Sequence, residues 1–263
     1  MTTRRDLLAS VTSAALVFPT RGWAAGTPRI THFDVRRSED RGTGMRDWLY
    51  SRHTFSFAGY RDPAHMGFRS LRVINEDVVA GGRGFSLHPH RDMEILTYVL
   101  SGGLRHKDTL GNEGVIRPGL IQHMSAGTGI RHSEFNAAAK TDVHFLQIWL
   151  LPNRAGGAPK YDERKVPTAE NQGQLTLLAS GDPKADAITI HQDAHVYGSQ
   201  LRKGQVLTHE AQPGRGTWIQ VAEGSVELNG QRFIAGDGAS TEQAGLLDIK
   251  ALEPSNVVLF DLG

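Results

Sequence analysis

Short apolar segments recur about every ten residues along the chain, and most are bounded by Gly or Pro. They are rich in β-branched and aromatic residues, which favour strands, and amphipathic patterns of helical length are scarce. The clearest segments are residues 71–74, 95–100, 145–150, 217–221 and 257–260. Short strands at regular spacing with turns between them predict an all-β fold, an antiparallel sandwich or barrel with little helix.

A segment rich in Pro and Gly divides the chain into two strand-rich halves. It covers residues 151–160 and reads LPNRAGGAPK. The first half contains VLSGGLRHKDTLGNEGVIRPG and the second contains VAEGSVELNGQRFIAGDG, so strand, Gly turn and hairpin follow in the same order in both. Duplication of one β-barrel module is the simplest explanation, and we predict domains at residues 28–153 and 160–263.

The composition is that of a globular protein with balanced charge. Of the 263 residues 39% are hydrophobic, and the formal net charge is +1. Because this charge creates no global field, we expect no nucleic-acid partner and no stable membrane association of the mature chain. The chain has no cysteine, so a metal could be held only by His, carboxylate or water, and 12 His residues are available.

Residues 1–25 predict an export signal rather than a part of the fold. Arg4 and Arg5 precede an apolar stretch over residues 7–18 that is too short to span a bilayer, and small residues follow near position 25. The string TTRRDLLAS resembles a twin-arginine signal, which exports folded proteins. We therefore expect a periplasmic protein. A cytoplasmic protein with an amphipathic N-terminus is the alternative.

Two short motifs in the first half carry the residue types of a metal site. In HPHRDME, His88 and His90 are two residues apart, so both leave the same face of a strand. In IRHSE, His132 and Glu134 share one face for the same reason. Two paired strands would then offer three imidazoles and one carboxylate. This set suits a first-row divalent metal and leaves positions open for substrate or dioxygen.

A longer stretch around these motifs resembles a known family. The spacing from Gly82 to His88, His90 and Glu94 resembles the first signature of the cupin superfamily, whose fold is a small double-sheet β-barrel. The strings HPHRDMEILTYVLSG and QHMSAGTGIRHSE are more specific and resemble the pirin family, in particular its bacterial quercetin 2,3-dioxygenase-like members. The resemblance runs from Thr31 to the C-terminus. It implies two cupin (jelly-roll) barrels in one chain, of which only the first binds metal.

The pirin resemblance assigns the metal ligands to His88, His90, His132 and Glu134. In most cupins the Glu of the first signature, here Glu94, is a ligand, and we expect it on the same strand face as His88 and His90. The pirin pattern favours Glu134 and gives Glu94 a structural role. It implies one divalent transition metal, with iron as the first expectation and copper, manganese, nickel, cobalt or zinc as alternatives.

The other candidate residues of the first half have simpler interpretations. His106 and Asp108 alternate on a predicted strand and are expected in solvent, with a place at the mouth of the pocket as the alternative. His123 is expected to be a partly buried strand residue. Five apolar residues could wall an aromatic ligand but are interpreted as core: Phe55, Phe57, Phe85, Met93 and Met124. The second half offers no matching His or paired carboxylates, so we interpret it as a structural partner.

The resemblance implies a dioxygenase that opens the central ring of a flavonol such as quercetin and releases carbon monoxide. Glu134 is the candidate base for the flavonol 3-hydroxyl. A metal-holding protein that acts as a redox-sensitive regulator and a barrel with a purely structural metal are the alternatives. We expect a monomer whose partners are a flavonol-like substrate and dioxygen.

Overall fold

The computed structural model describes residues 26–166 and 173–263. Every regular element in these ranges is a β-strand, as the spacing of the apolar segments predicts. No helix in this part of the chain is long and apolar enough to cross a membrane. The predicted signal over residues 1–25 lies outside the described residues.

The strands of the first half follow one another through short turns. They are β1 (Asp34–Arg36), β2 (Gly42–Arg46), β3 (Leu49–His53), β4 (Leu71–Val79), β5 (Gly84–His90), β6 (Glu94–Ser101), β7 (Leu104–Asp108), β8 (Glu113–Ile116), β9 (Leu120–Ser125), β10 (Ile130–Asn136) and β11 (Val143–Leu150).

The second half repeats this pattern after the Pro- and Gly-rich segment. Its strands are β12 (Lys160–Lys165), β13 (Thr176–Ser180), β14 (Ile188–Thr189), β15 (Ala194–Leu201), β16 (Val206–Ala211), β17 (Gly216–Glu223), β18 (Ser225–Leu228), β19 (Gln231–Ile234), β20 (Gly238–Thr241), β21 (Gly245–Ala251) and β22 (Ser255–Leu262).

Each half consists of one four-stranded and one seven-stranded sheet. In the first half the strand orders are β5-β10-β7-β8 and β12-β9-β6-β11-β4-β3-β2. In the second half they are β16-β21-β18-β19 and β1-β20-β17-β22-β15-β13-β14. The centre of the large sheet has the same order in both halves, β9-β6-β11-β4 and β20-β17-β22-β15. The two halves are therefore two copies of one double-sheet barrel.

Two segments pair with the sheet of the opposite half. β1 pairs with β20, with Asp34 opposite Ser240, and β12 pairs with β9, with Lys160 opposite Ser125. The domain prediction differs from the structure at these two strands, since it assigns β1 to the first half and β12 to the second. Each segment covers a sheet edge whose backbone groups would otherwise be unpaired.

The interiors of the two barrels differ in character. The second barrel is filled by one large apolar cluster that includes Ile219, Phe233 and Leu259. The first barrel has two smaller clusters, one around Phe145 and one around Met124. A further cluster combines residues from both large sheets, which are buried against each other. Among the described residues, the apolar filling of the first barrel is therefore smaller and more divided than that of the second.

Candidate metal centre

The antiparallel pair β5 and β10 positions the predicted ligands. His132 lies opposite His88, and Ile130 lies opposite His90. β10 alternates strictly between inward and outward residues, and both His132 and Glu134 are buried. The expectation that alternate residues of two paired strands share one interior face is thus met.

A β-bulge in β5 changes its register with β10 next to His88. The register changes between His132, which faces His88, and Glu134, which faces Phe85, so two residues of β5 lie opposite one of β10. Both Phe85 and His88 border the interior cavity as a result. The carbonyl of Ser86 in the bulge accepts a 2.8 Å hydrogen bond from His88 Nδ1, which leaves His88 Nε2 available to a metal.

Three imidazoles gather at one point of the first barrel. The ring centroids of His88 and His132 are 4.4 Å apart, and His90 lies 4.8 Å from each. One nitrogen of each residue lies within 4.8 Å of the other two, so all three can reach one ion. The Nε2 atoms of His90 and His132 are buried without a hydrogen-bond partner. Buried polar atoms are normally paired, and a metal ion would supply the missing partner.

A short relay behind this cluster fixes the tautomer of His132. Asp108 can only accept, so His106 Nε2 donates to its carboxylate over 3.1 Å. His106 Nδ1 is then an acceptor for His132 Nδ1, which lies 3.4 Å away. His132 Nε2 consequently carries no proton and can bind a metal. Burial opposes ionisation of Asp108, but hydrogen bonds from Asn112 and His106 lower its pKa.

The expectation that His106 and Asp108 are solvated was wrong. Their side chains are fully buried, on the interior face of β7. The alternation along the strand was predicted correctly, but alternation does not say which face points inward. His123, expected to be partly buried, is also fully buried.

Glu134 lies on the side of the cluster that faces the relay. Its carboxylate forms a close group with His132 and His106, within 4.8 Å. Gln147 on β11 donates a 3.4 Å hydrogen bond to Glu134 Oε1. Glu134 is thus adjacent to one of the three gathered imidazoles rather than at equal distance from all of them. His132 connects the two groups.

The electrostatics of the centre favour neutral imidazoles. Burial, together with the other histidines nearby, lowers the pKa of both His90 and His132 to about 3. Neutral imidazole is the form that binds a metal. Burial raises the pKa of Glu134, although His106, His88 and Gln147 act in the opposite direction. A divalent cation would balance this buried carboxylate, so the residues present fit a metal.

Glu94 has the structural role that the pirin pattern favours, but its expected position was wrong. It belongs to β6, not to the strand of His88 and His90, because a turn with Asp92 at a φ of 49° ends β5 before it. Its buried carboxylate accepts hydrogen bonds from His123 at 2.8 Å and from Ser125 at 2.6 Å. Glu94 therefore binds neighbouring side chains instead of joining the imidazole cluster.

A cavity of about 500 Å³ adjoins the centre and lies between the two sheets of the first barrel. His88, His90 and Glu134 border it on one side. Five aromatic residues form much of its wall: Phe57, Tyr60, Phe85, Phe145 and Trp149. This volume is in the range of small-molecule sites.

The interpretation of five apolar residues as core was partly correct. Phe55 and Met124 lie in apolar clusters and Met93 packs against one, whereas Phe57 and Phe85 line the cavity. Two wall residues that the sequence analysis missed are Phe145 and Trp149, on β11. Alternation along β11 could have grouped them with Gln147, but no local signal indicates that this strand faces the centre.

Comparison with known proteins places the chain in a family. Residues 34–150 match the family described as Pirin, and residues 177–262 match the quercetinase C-terminal cupin domain. Quercetin 2,3-dioxygenase of Escherichia coli strain K12 is 42% identical over 228 residues, which are 87% of this chain and 97% of the relative. The chain belongs to the pirin family. The expected architecture of two cupin barrels is confirmed for this pirin.

Two further relatives support the assignment. A pirin-like protein of Caulobacter vibrioides is 42% identical to this pirin over 230 residues, which cover 87% of the chain and 97% of the relative. The crystal structure of the bacterial pirin YhhW from Escherichia coli in complex with nickel(II) is 42% identical, with a TM-score of 0.83, and covers 88% of this chain and 99% of that one. With the imidazole cluster, these findings make the protein a metal cupin of the pirin family.

The second barrel of this pirin has a different character. Within residues 26–166 and 173–263, both groups of side chains that could hold a metal lie in the first barrel.

Proposed function

We propose that this pirin is a metal-dependent dioxygenase that opens the central ring of a flavonol such as quercetin. The observation that carries the proposal is the aromatic-walled cavity of about 500 Å³ that opens directly onto Glu134 and onto two of the gathered imidazoles, His88 and His90. The relative named quercetin 2,3-dioxygenase gives the substrate class. In the reaction, one flavonol and one dioxygen yield a depside and carbon monoxide, and both oxygen atoms of dioxygen remain in the products.

The side chains of the centre have two roles in this proposal, which are to hold the metal and to accept a proton. A divalent metal at this place would supply a Lewis acid that stabilises the anionic form of the flavonol. His88, His90 and His132 would hold it, with Glu134 as the carboxylate of the set. Glu134 takes the proton of the flavonol 3-hydroxyl, and burial makes it a stronger base by raising its pKa. Gln147 donates a hydrogen bond to Glu134 Oε1 and so holds this carboxylate in place.

We propose iron as the metal of this reaction, with nickel, copper, manganese, cobalt and zinc as alternatives. Three imidazoles and a carboxylate suit several first-row ions, so the donor set alone does not choose among them. Elemental analysis of the protein purified without added metal identifies the resident ion. A content of about one ion per chain is expected.

The decisive test is aerobic consumption of quercetin by protein loaded separately with each of these metals. Loss of the flavonol absorbance together with carbon monoxide release is expected for at least one of them, and His132→Ala should abolish both. The matched control is His32→Ala, because His32 is exposed and remote from the centre. If no metal gives turnover, the non-catalytic alternative, a metal-holding regulatory protein, replaces the enzyme.

We also propose that residues 1–25 direct export to the periplasm and that the mature protein is a monomer. The support is the pair Arg4 and Arg5 before an apolar stretch in the sequence. A reporter fused after residue 25 should be exported, and changing both arginines to Lys should stop export. Light scattering of the mature protein should give the mass of one chain.

A further inference from the structure

A row of buried polar side chains crosses the inner face of the large sheet in the first barrel. Neighbouring strands bring its members side by side in register: His53, Asn75, Gln147, Thr97 and Gln122. His53 Nδ1 donates to Asn75 Oδ1 over 2.9 Å, and Thr97 donates to Gln147 Oε1 over 3.0 Å. Most side chains of this row are thus hydrogen-bonded to one another, and Gln147 also donates a hydrogen bond to Glu134.

Asp77 lies one step beyond this row, and one of its two carboxyl oxygens has no hydrogen-bond partner. On β4 it faces Ser51 of β3 and Phe145 of β11, and it borders the same cavity as the imidazoles. Its side chain is buried, with 5% of the residue exposed, and its Oδ1 has no hydrogen-bond partner. A buried carboxyl oxygen without a hydrogen-bond partner destabilises the folded protein. Its presence beside the cavity indicates that a ligand supplies the missing donor.

The surroundings of Asp77 fit a hydroxyl group rather than a cation. Burial raises the pKa of Asp77 to about 7; a hydrogen bond from Ser51 acts in the opposite direction, and the nearby carboxylates of Glu134 and Glu76 act in the same direction as burial. At neutral pH both the protonated and the ionised form are therefore present, and either form accepts a hydrogen bond from a neutral donor. Phe145, the neighbour of Asp77 on β11, and Phe57 in the wall of the same cavity favour a flat ring as the carrier of that donor.

We propose that Asp77 determines substrate specificity: its free Oδ1 accepts a hydrogen bond from a phenolic hydroxyl on the part of the substrate that faces the large sheet. The preferred ligand is then a polyphenol with hydroxyl groups on its outer rings as well as the chelating pair at the imidazoles. This inference rests on the proposed function for the choice of a flavonol, but it concerns binding and not turnover.

The test compares two flavonols by calorimetric titration of nickel-loaded protein without oxygen. Quercetin carries hydroxyl groups on both outer rings, whereas 3-hydroxyflavone carries only the chelating pair. Asp77→Leu should weaken quercetin binding about tenfold, the effect of one buried hydrogen bond, and leave 3-hydroxyflavone within about twofold. Asp77→Asn keeps an acceptor oxygen at the same place and should retain the preference for quercetin. The matched control is Asp47→Leu, on the exposed turn between β2 and β3.

Each other outcome overturns the inference. Equal weakening of both flavonols in Asp77→Leu would assign Asp77 a structural role, and unchanged binding of both would show that no ligand hydroxyl reaches it. Loss of the preference in Asp77→Asn would show that an acceptor oxygen at this place does not select quercetin. This variant remains informative if the Leu variant does not fold. Absence of quercetin binding to the unmutated protein would also reject the proposed role of Asp77. If quercetin binds with this preference but no metal supports turnover, the proposed enzyme fails while the inference stands.

Discussion

The hydrogen bond from Gln147 to Glu134 links the large sheet to the metal centre, and it should affect the metal affinity. Gln147 Nε2 donates to Glu134 Oε1 over 3.4 Å, while Gln147 Oε1 accepts from Thr97. Glu134 has to be ionised to bind a cation, and burial raises its pKa. Gln147→Leu keeps the size of the side chain and removes the donor. The ionised form of Glu134 is then less stable, so the metal affinity should fall.

The size of the effect follows from the hydrogen bond. A hydrogen bond to a charged group contributes about 1.5–3 kcal/mol, and the long distance places this one at the lower end. About 1.5 kcal/mol corresponds to a dissociation constant roughly ten times larger. The same free energy raises the pKa of Glu134 by about one further unit. The loss of affinity should therefore grow as the pH falls, because protons compete with the metal for this carboxylate.

The assay is competition of a chelator for nickel at several pH values. Gln122→Leu is the matched control, since Gln122 belongs to the same polar row, is 1% exposed and lies two strands away from Gln147. Gln147→Leu should lose about tenfold in affinity and Gln122→Leu should lose none. Equal affinities of the two variants at every pH would refute the role of Gln147.

Three other variants test separate parts of the structure. Nickel at about 100 times its dissociation constant should stabilise the unmutated protein by about 2.7 kcal/mol, a rise in melting temperature of roughly 5–10 °C. Calorimetry should show no such rise for His132→Ala, and an equal rise would exclude His132 as a ligand. Asp108→Asn can donate to His106, which reverses the relay and protonates His132 Nε2, so nickel affinity should fall about 10- to 100-fold, and unchanged affinity in chelator competition would contradict the relay. Glu76 has its pKa lowered to about 2, since hydrogen bonds from His144 and Arg41 outweigh the opposing effect of burial. Above pH 4.5 its ionised form therefore stabilises the fold, and this contribution is lost as the pH falls towards 2. Urea unfolding should show Glu76→Gln to be less stable by about 3 kcal/mol at pH 7, with a smaller difference at pH 3.5, whereas a constant difference would contradict the pKa shift.

Local alternation was sufficient to predict much of the candidate centre. His88 with His90, and His132 with Glu134, each lie on one face because residues two apart on a strand always do. The motifs that carry the pirin resemblance then supplied the pairing of the two strands. Glu94 shows the limit of this reasoning, since the turn at Asp92 lies between it and His90 and gave no clear signal in the sequence.

The remaining parts of the site depend on strands that meet only in the folded barrel. Asp77 on β4 and Gln147 on β11 belong to the large sheet, and their sequence neighbours do not mark them as cavity residues. His106 lies on β7, which is covered by β8 and β10 on its two sides. Burial of such residues results from sheet order and barrel closure. These are long-range properties that periodicity along one segment does not contain.

The exchange of β1 and β12 between the halves has a consequence for how the molecule can be made. Asp34 finds its partner Ser240 only when nearly the whole chain has left the ribosome. The first barrel in turn needs β12, which follows the Pro- and Gly-rich segment, to close the edge of β9. A cut within residues 151–160 would therefore not yield two complete barrels. The N-terminal fragment would lack β12, which pairs with its β9, and the C-terminal fragment would lack β1, which pairs with its β20. The two barrels should therefore complete their folding together, after most of the chain has been synthesised, and they should melt in a single transition.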